Sequence, residues 1–202
     1  METTNPLRFE RTLIAFDAAN RQDPRLENDE DGQAVPKELL YARRMSSVLA
    51  KFAPNASEAL QLAARCQHIR RWTVPRDSYP MDRKGYLQWR THLKKFHGEQ
   101  AAAIMQTEGY DAETIDQVVD LLNKKNLKRD PEMQTLKDVI CLVFLQYYFA
   151  DFQKQHSTEK VGTVIAKTWK KMSEAGQTAA VLGVFSGKET KLIQQILTDP
   201  DY

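Results

Sequence analysis

The chain has 202 residues, with 29 Lys or Arg and 27 Asp or Glu, so its formal net charge is +2. This length is enough for one domain with a substantial apolar core. The nearly balanced charge argues against a histone-like protein, and two cysteines are too few for a disulfide framework. The amino terminus does not read as a secretory signal, and the longest apolar stretch, residues 139–150, is too short to span a bilayer. We expect a single domain over residues 1–202, located in the cytoplasm and without a membrane partner.

Apolar residues recur at spacings of three and four through nearly the whole chain, and no segment shows the period of two that is typical of a half-buried strand. This pattern predicts an all-α domain of about eight helices. Proline and capping residues divide the first part of the chain. They predict a helix from Pro6 to about Pro24, an acidic loop over residues 27–34, a helix from Pro36 to Pro54, a helix from a cap at Asn55 to about Trp72, and an extended or looped crossing over residues 73–81.

The second part of the chain is divided by similar signals. Aspartates that can cap helices precede three apolar repeats, and Gly109 suits a left-handed helix stop. The third of these repeats is apolar on nearly every side, which is typical of a helix at the centre of a fold. The predicted helices start at Asp82, Asp111 and Asp130 (the central helix, to Phe152), at Ser157 with a stop at Gly176, and at Ser186.

The charge is unevenly distributed along the chain. Residues 65–95, here called the basic segment, contain nine basic and two acidic residues, so this segment carries +7 and the rest of the chain −5. Arginine grips phosphate through two parallel hydrogen bonds, and aromatic rings stack on bases. Prolines 75 and 80 stiffen the segment, which lowers the entropy lost on binding. The candidate ligand-binding residues are Arg70, Arg71, Trp72, Arg76, Tyr79, Tyr86, Trp89 and Arg90.

A solvated basic helix face, with its aromatic rings packed between two helices, would have the same composition. A shorter basic run could extend the surface of the basic segment, although the sequence does not place the two side by side. It contains Lys124, Lys125, Lys128 and Arg129.

Three polar residues interrupt apolar stripes and form a candidate centre. His68 and His97 each continue a stripe of their predicted helices, and Asp138 lies in the first turns of the central helix. A buried carboxylate is costly unless a cation or hydrogen-bond donors meet it. Two imidazoles and a carboxylate from separate helices are the minimum for a catalytic site with a divalent metal. Satisfied core histidines and a helix-capping Asp138 are the alternative, and Glu38 is either a further ligand or an ion-pair partner.

Several blocks of the chain resemble an uncharacterised family known as domain of unknown function 4202. They extend from Phe16 to about Ala180. This resemblance implies no established activity. The blocks are FDAANRQDP, PKELLYARRM, RCQHIRRWTVPRDSYPMDRKGYLQWR, KKFHGEQAA, DVICLVFL and KTWKKMS.

The order of His68, His97 and Asp138 also resembles, more distantly, the HD superfamily of helical metal-dependent phosphohydrolases. That superfamily has a His-Asp pair where this chain has His97 followed by Gly98. The resemblance implies that Glu38 or Glu99 replaces the missing ligand, or that the fold is kept without the metal.

Two functional hypotheses follow from the sequence. The first is an HD-like protein that binds a phosphate-bearing, nucleotide-like small molecule at the His/His/Asp centre. The resemblance to the HD superfamily implies that this protein is a metal-dependent phosphohydrolase. The second is a non-enzymatic module that uses the basic segment to bind RNA or an acidic protein.

Overall fold

A computed structural model describes residues 6–124 and 130–183 of the chain. Over these ranges the protein is a single compact all-α domain, as the apolar periodicity predicts, with one small hairpin. None of the helices there is long and apolar enough to cross a membrane. The elements are α1 (Pro6–Asn20), β1 (Leu26–Asn28), β2 (Ala34–Pro36), α2 (Lys37–Phe52), α3 (Glu58–Arg65), α4 (Arg83–Thr107), α5 (Ala112–Asn123), α6 (Pro131–Val143), α7 (Phe149–Gln155), α8 (Thr158–Trp169) and α9 (Glu174–Gly183).

The centre of the core lies where α2 and α3 pack against α5 and α6. Helix α6 contributes Leu136, Val139 and Val143, which are fully buried, as expected for the apolar central helix. Met45 from α2 and Leu62 from α3 are fully buried in the same cluster. Burial of such side chains stabilises a fold by about 1.5–3 kcal/mol each.

Local capping signals place most helix starts correctly. The carboxylates of Asp82, Asp111 and Asp130 accept hydrogen bonds from backbone N–H groups of the first turns that follow them, as predicted. Gly109 has a φ of 83° just after α4, so the predicted left-handed stop is confirmed. The third helix is capped by Ser57 rather than by Asn55, because the Ser57 hydroxyl accepts from the N–H of Leu60.

The acidic loop predicted over residues 27–34 contains part of a β-hairpin. Strands β1 and β2 pair antiparallel, with Leu26 opposite Pro36. Asp29 closes the turn, since its carboxylate accepts from the N–H groups of Asp31 and Gln33. Each strand has only three residues, most of them exposed, which is too short to show an alternating pattern of apolar residues. The analysis of apolar spacing therefore does not detect these strands.

Two predicted helices end earlier than their sequence patterns indicate. Helix α3 stops at Arg65 instead of continuing to Trp72. Helix α8 stops at Trp169, and Gly176 lies inside α9 rather than at a helix stop. The predicted start at Ser186 lies outside the described residues.

Candidate anion-binding site

A small cavity of about 210 Å³ opens where the start of α2 meets the chain that follows α3. It combines cationic, anionic and aromatic side chains from three separate stretches of the chain. The lining residues are Lys37, Glu38, Tyr41, His68, Arg71 and Tyr148. Three of these, Glu38, His68 and Arg71, belong to the residues proposed from the sequence.

The turn after α3 places His68 and Arg71 in this cavity. The chain leaves the helix at Cys66 and turns through Arg70, which has a φ of 52° in the left-handed region. A non-glycine residue in that conformation is uncommon and needs support from its surroundings. The support comes from Asn20, whose side-chain oxygen accepts from the N–H of Arg70 at 2.9 Å. A short 3₁₀ turn, Arg71–Thr73, then begins.

Glu38 is the anionic centre of the cavity and is 2% exposed. Arg25 donates to its Oε1 at 2.9 Å and makes two further hydrogen bonds to Asp23. Asp23 also accepts from the backbone N–H of Glu38. The second carboxylate oxygen, Oε2, lies 3.4 Å from Nδ1 of His68.

Glu38 is ionised despite its burial. Burial by itself would raise the pKa of this carboxyl group. The adjacent His68, followed by the charges of Arg71 and Arg25, outweighs the burial and lowers the pKa to about 2. The cavity therefore holds a fixed negative charge next to an imidazole.

Two rings lie next to His68. Its ring stacks on Tyr41, with centroids 4.1 Å apart and planes 12° from parallel. The ring centroid of His97 lies 5.9 Å from that of His68, with the planes tilted by 35°. Burial lowers the pKa of His68 to about 4, although Glu38 partly opposes this effect. Both the stacking and the neutral state suit a ring that accepts a proton or a hydrogen bond.

His97 is 5% exposed and is neutral for similar reasons. Its Nδ1 donates to the carbonyl oxygen of Ile69 at 2.8 Å, which leaves the lone pair on Nε2. Burial and, to a smaller extent, the charge that His68 would carry when protonated together lower the pKa of His97 to about 3. Nε2 is buried and has no hydrogen-bond partner among the described residues.

Arg71 brings into the cavity a guanidinium group that makes no hydrogen bond or ion pair within residues 6–124 and 130–183. Its Cζ lies 5.0 Å from the centroid of the Trp89 ring. Burial lowers the pKa of Arg71, and the negative charge of Glu38 partly opposes this effect, but an arginine side chain stays protonated in proteins. A half-buried guanidinium group whose N–H donors make no hydrogen bond can bind an anion.

A π-helical segment, Phe144–Tyr148, interrupts the predicted central helix between α6 and α7. Such segments are often found at functional sites because they redirect side chains. Here Tyr148 lines the cavity, and its hydroxyl accepts from Arg44 at 3.1 Å. Arg44 also bonds Glu27 and Glu30, so it ties the hairpin to the cavity wall.

The chain matches a known protein family. The family model of Domain of unknown function (DUF4202) matches residues 10–193. The chain belongs to this family. Comparisons with curated proteins and with solved structures give no match.

The third residue of the predicted centre, Asp138, is not part of the cavity in this DUF4202 chain. Its Oδ1 accepts from the Ser173 N–H at 2.8 Å and from the Gln134 side chain, and its Oδ2 accepts from the Ser173 hydroxyl. It therefore anchors the start of α9. Glu99 is also separate, because it is exposed and pairs with Lys95.

The predicted metal ligands are therefore divided: Glu38, His68 and His97 lie close together, whereas Asp138 and Glu99 lie elsewhere. Among the described residues, no group of three or more His, Cys, Asp or Glu side chains is arranged to hold a metal ion. Glu38 and His68 are the candidate ligands that lie closest together. Metal binding stays a prediction.

Several candidates in the basic segment hold the segment together. Arg76 donates to the carbonyl oxygens of Tyr79 and Asp82. Trp89 is 7% exposed and donates to the carbonyl of Val74, so its ring is covered rather than open for stacking on a base. Of the remaining candidates, Arg70 forms a hydrogen bond with Gln100, and Tyr79 forms one with His92. Tyr86 is exposed beside Trp89, and Trp72 and Arg90 are half-buried.

The sequence analysis missed Tyr41, Tyr148 and Lys37 in the lining of the cavity, and Arg25 as the residue that binds Glu38. The first of these carries a usable signal, because Tyr41 follows Glu38 by three residues and so shares its helix face. The other three have no such signal, since they reach the cavity only through the hairpin, the start of α2 and the π-helical segment.

Proposed function

We propose that this protein binds a phosphate-bearing, nucleotide-like small molecule, with a phosphate group of the ligand in the cavity at Arg71. The observation that carries the proposal is the half-buried guanidinium of Arg71, which lines the cavity and makes no hydrogen bond or ion pair among the described residues. Phosphate oxygens match the planar donor geometry of arginine better than they match any other common side chain.

Lys37, Tyr41 and Tyr148 favour the same kind of ligand. Lys37 lines the cavity, and its only ion pair within the described part of the chain is a 3.7 Å contact with Glu27. Tyr41 and Tyr148 bring hydroxyl groups whose pKa values are raised by burial, so they stay protonated and can donate. A volume of about 210 Å³ is below that of typical whole-ligand sites, which suits one phosphate group and the atoms next to it.

The same site offers the groups for phosphate-ester hydrolysis. His68 is neutral and is oriented by Glu38, so it could accept a proton from an attacking water. Arg71 would stabilise the negative charge that develops at the phosphorus. A divalent metal, as in the HD superfamily, would add a Lewis acid. Asp138, the predicted carboxylate ligand, lies outside the cavity, so the proposed proton transfer is assigned to His68 alone.

The proposal is tested by titrating orthophosphate, AMP and ADP into the protein in a calorimeter, with thermal unfolding as a second readout. Saturation to a hundred times the dissociation constant stabilises a protein by about 2.7 kcal/mol. Arg71→Gln should weaken phosphate binding about tenfold or more, since a charged hydrogen bond contributes about 1.5–3 kcal/mol. Arg83→Gln, an exposed arginine of α4, is the matched control and should bind as the wild type does.

No binding of any phosphate compound by the wild type would overturn the proposal. An equal loss in the Arg71 and Arg83 variants would overturn it as well, because general electrostatic attraction would then explain the binding. Release of inorganic phosphate from nucleotides, with and without added Mn²⁺ or Mg²⁺, tests the hydrolytic activity separately.

A second candidate function follows from the outer face of α4. Arg83, Lys84 and Lys95 are exposed there, and Leu87 is 55% exposed between them. A basic face with an exposed apolar residue suits RNA or an acidic protein. With RNA, the slope of log affinity against log salt should become shallower by about 0.7 for each contacting lysine removed. A slope unchanged in Lys84→Gln and Lys95→Gln would exclude these contacts.

A further inference from the structure

The outer face of α4 carries a groove of about 920 Å³, more than four times the volume of the cavity at Arg71. The described residues that line this groove all belong to α4, and all of them are exposed. They extend from Arg83 to Glu99, a strip about 24 Å long at the rise of an α-helix. They form two rows with a spacing of four residues: Arg83, Leu87, Thr91, Lys95 and Glu99 in one row, and Lys84, Gln88 and His92 in the other.

The two rows have the geometry by which helices pack on one another. Side chains spaced by four residues form a ridge on a helix, and the space between two such ridges accepts a ridge of a second helix. The other face of α4, with Trp89, Leu93 and Ala101, is buried in the domain. The outer face therefore offers a helix-sized surface that no element among the described residues covers.

Exposed apolar side chains are concentrated at the amino end of the groove. Leu87 lines the groove and is 55% exposed, Met81 lies just before α4, and Tyr86 precedes Leu87. Single exposed apolar residues are common on protein surfaces, whereas a group with charged residues around it marks an interaction site. The aliphatic stems of Arg83 and Lys84 add to the apolar surface around Leu87.

The charge of the groove favours an acidic partner. Within residues 6–124 and 130–183, Arg83 and Lys84 make no hydrogen bond or ion pair. They lie in the first turn of α4, where the helix dipole adds positive potential. Lys95 pairs with Glu99 at 3.7 Å, but both side chains are exposed, and an ion pair of this kind is weak enough to be exchanged for another carboxylate.

The same groove suits a protein better than RNA. Single-stranded RNA is bound through open aromatic rings on which its bases stack. Neither Trp89 nor Tyr86 lines the groove, and the His92 ring is engaged by the Tyr79 hydroxyl and by the edge of Phe96. A carboxylate in the lining, that of Glu99, would repel phosphate groups.

We propose that the groove on α4 binds an acidic amphipathic helix of a partner protein. The apolar residues of that helix, spaced by three and four, would cover Leu87, and its acidic residues would pair with Arg83 and Lys84. The inference rests on the second candidate function, which it narrows to one class of partner. It does not depend on phosphate binding at Arg71.

A model peptide tests the inference by fluorescence anisotropy with the full chain. The peptide is a helix of about sixteen residues, the length of the groove, with Leu at every third or fourth position and Glu and Ala elsewhere. The wild type should bind it about tenfold or more tightly than a scrambled peptide of the same composition, since only the ordered peptide presents an apolar stripe. A peptide with Lys in place of Glu should not bind.

Variants of the groove give the second part of the test. Leu87→Ser should lower the affinity about tenfold, whereas Leu7→Ser, an equally exposed leucine of α1, should leave it unchanged. Arg83→Gln with Lys84→Gln should lower it about threefold to tenfold. Lys167→Gln with Lys170→Gln makes the same change of charge at exposed positions near the end of α8 and should have no effect.

Equal binding of the ordered and scrambled peptides, or full affinity in both groove variants, would overturn the inference. Binding of single-stranded RNA that depends on Arg83 and Lys84, without binding of the peptide, would keep the second candidate function and overturn the inference. A dimer that Leu87→Ser dissociates would assign the groove to a second copy of the chain and overturn it as well. Loss of thermal stability in Leu87→Ser, without peptide binding by the wild type, would show that the chain covers its own groove, which is also contrary to the inference. Failure to bind either RNA or the peptide would overturn the second candidate function itself.

Discussion

Oε2 of Glu38 lies 3.4 Å from Nδ1 of His68, although one residue begins α2 and the other follows α3. The carboxylate is almost completely buried, and Arg25 holds its other oxygen. The pair therefore has a fixed orientation, and the imidazole presents its remaining nitrogen away from the carboxylate. The ionisation of Glu38 makes the stability of the protein depend on pH.

Glu38→Gln should destabilise the protein at pH 7. The pKa of Glu38 falls from an ordinary 4.5 to about 2 on folding, which corresponds to roughly 3 kcal/mol of stability. This contribution is present above pH 4.5 and is lost as the pH falls towards 2, so the variant and the wild type should converge in acid. Urea unfolding at pH 7, 4.5 and 3 measures the difference. Glu99→Gln, which changes an exposed glutamate, should stay within about 0.5 kcal/mol of the wild type throughout.

The stability of the protein should also fall as the pH decreases from 7 to 5. The folded-state pKa values of His68 and His97, about 4 and about 3, lie below the ordinary 6.5. Unfolded histidines therefore take up protons in this range, whereas the two buried ones do not. Their combined effect approaches about 2.7 kcal/mol per pH unit at most. Urea unfolding at pH 7, 6 and 5 measures this slope.

His97→Gln and His68→Gln should each reduce that slope by as much as half. His92→Gln, an exposed histidine of α4, controls for the loss of a histidine as such. A slope that stays the same in both buried-site variants would show that the pKa values of the two imidazoles do not change on folding.

Asp138→Asn should reduce stability without affecting ligand binding. An amide cannot accept all three hydrogen bonds from Ser173 and Gln134, and the loss of a buried charged hydrogen bond costs about 1.5–3 kcal/mol. Gly176→Ala should have a similar effect, because its Cβ would lie 2.7 Å from the Asp138 carboxyl carbon. Thermal unfolding and phosphate titration measure the two properties. Reduced phosphate affinity in a folded Asp138→Asn protein would show that Asp138 contributes to the ligand-binding site.

Gly85→Ala should be among the most disruptive small substitutions in the chain. A Cβ at position 85 would lie 2.0 Å from the carbonyl oxygen of Pro80, so the stiff loop before α4 must move. Strain against backbone atoms is expected to cost about 3 kcal/mol or more. Gly183→Ala is the matched control because no atom of residues 6–124 or 130–183 lies within 4 Å of its Cβ position. Chemical unfolding of both variants should show a large loss for the first and little change for the second.

The sequence determines those parts of the fold that depend on neighbouring residues. Periodic apolar residues specify the helices, and Asp82, Asp111 and Asp130 cap them through hydrogen bonds that span only two or three residues. The unequal distribution of charge is also a property of the sequence. Arg71 and His68 were found in this way, because unusual residue types stand out in composition and pattern.

Tertiary structure decided which of these residues meet. His68 leaves the helix predicted for it because the chain turns at Arg70, and the turn depends on the distant Asn20. Asp138 anchors the start of α9 and does not contact the histidines, because the backbone N–H and the hydroxyl of Ser173 donate to its two carboxylate oxygens. Tyr148 joins the cavity because the helix widens over residues 144–148. Contacts of this kind link parts of the chain that are far apart in sequence, and no local pattern encodes them.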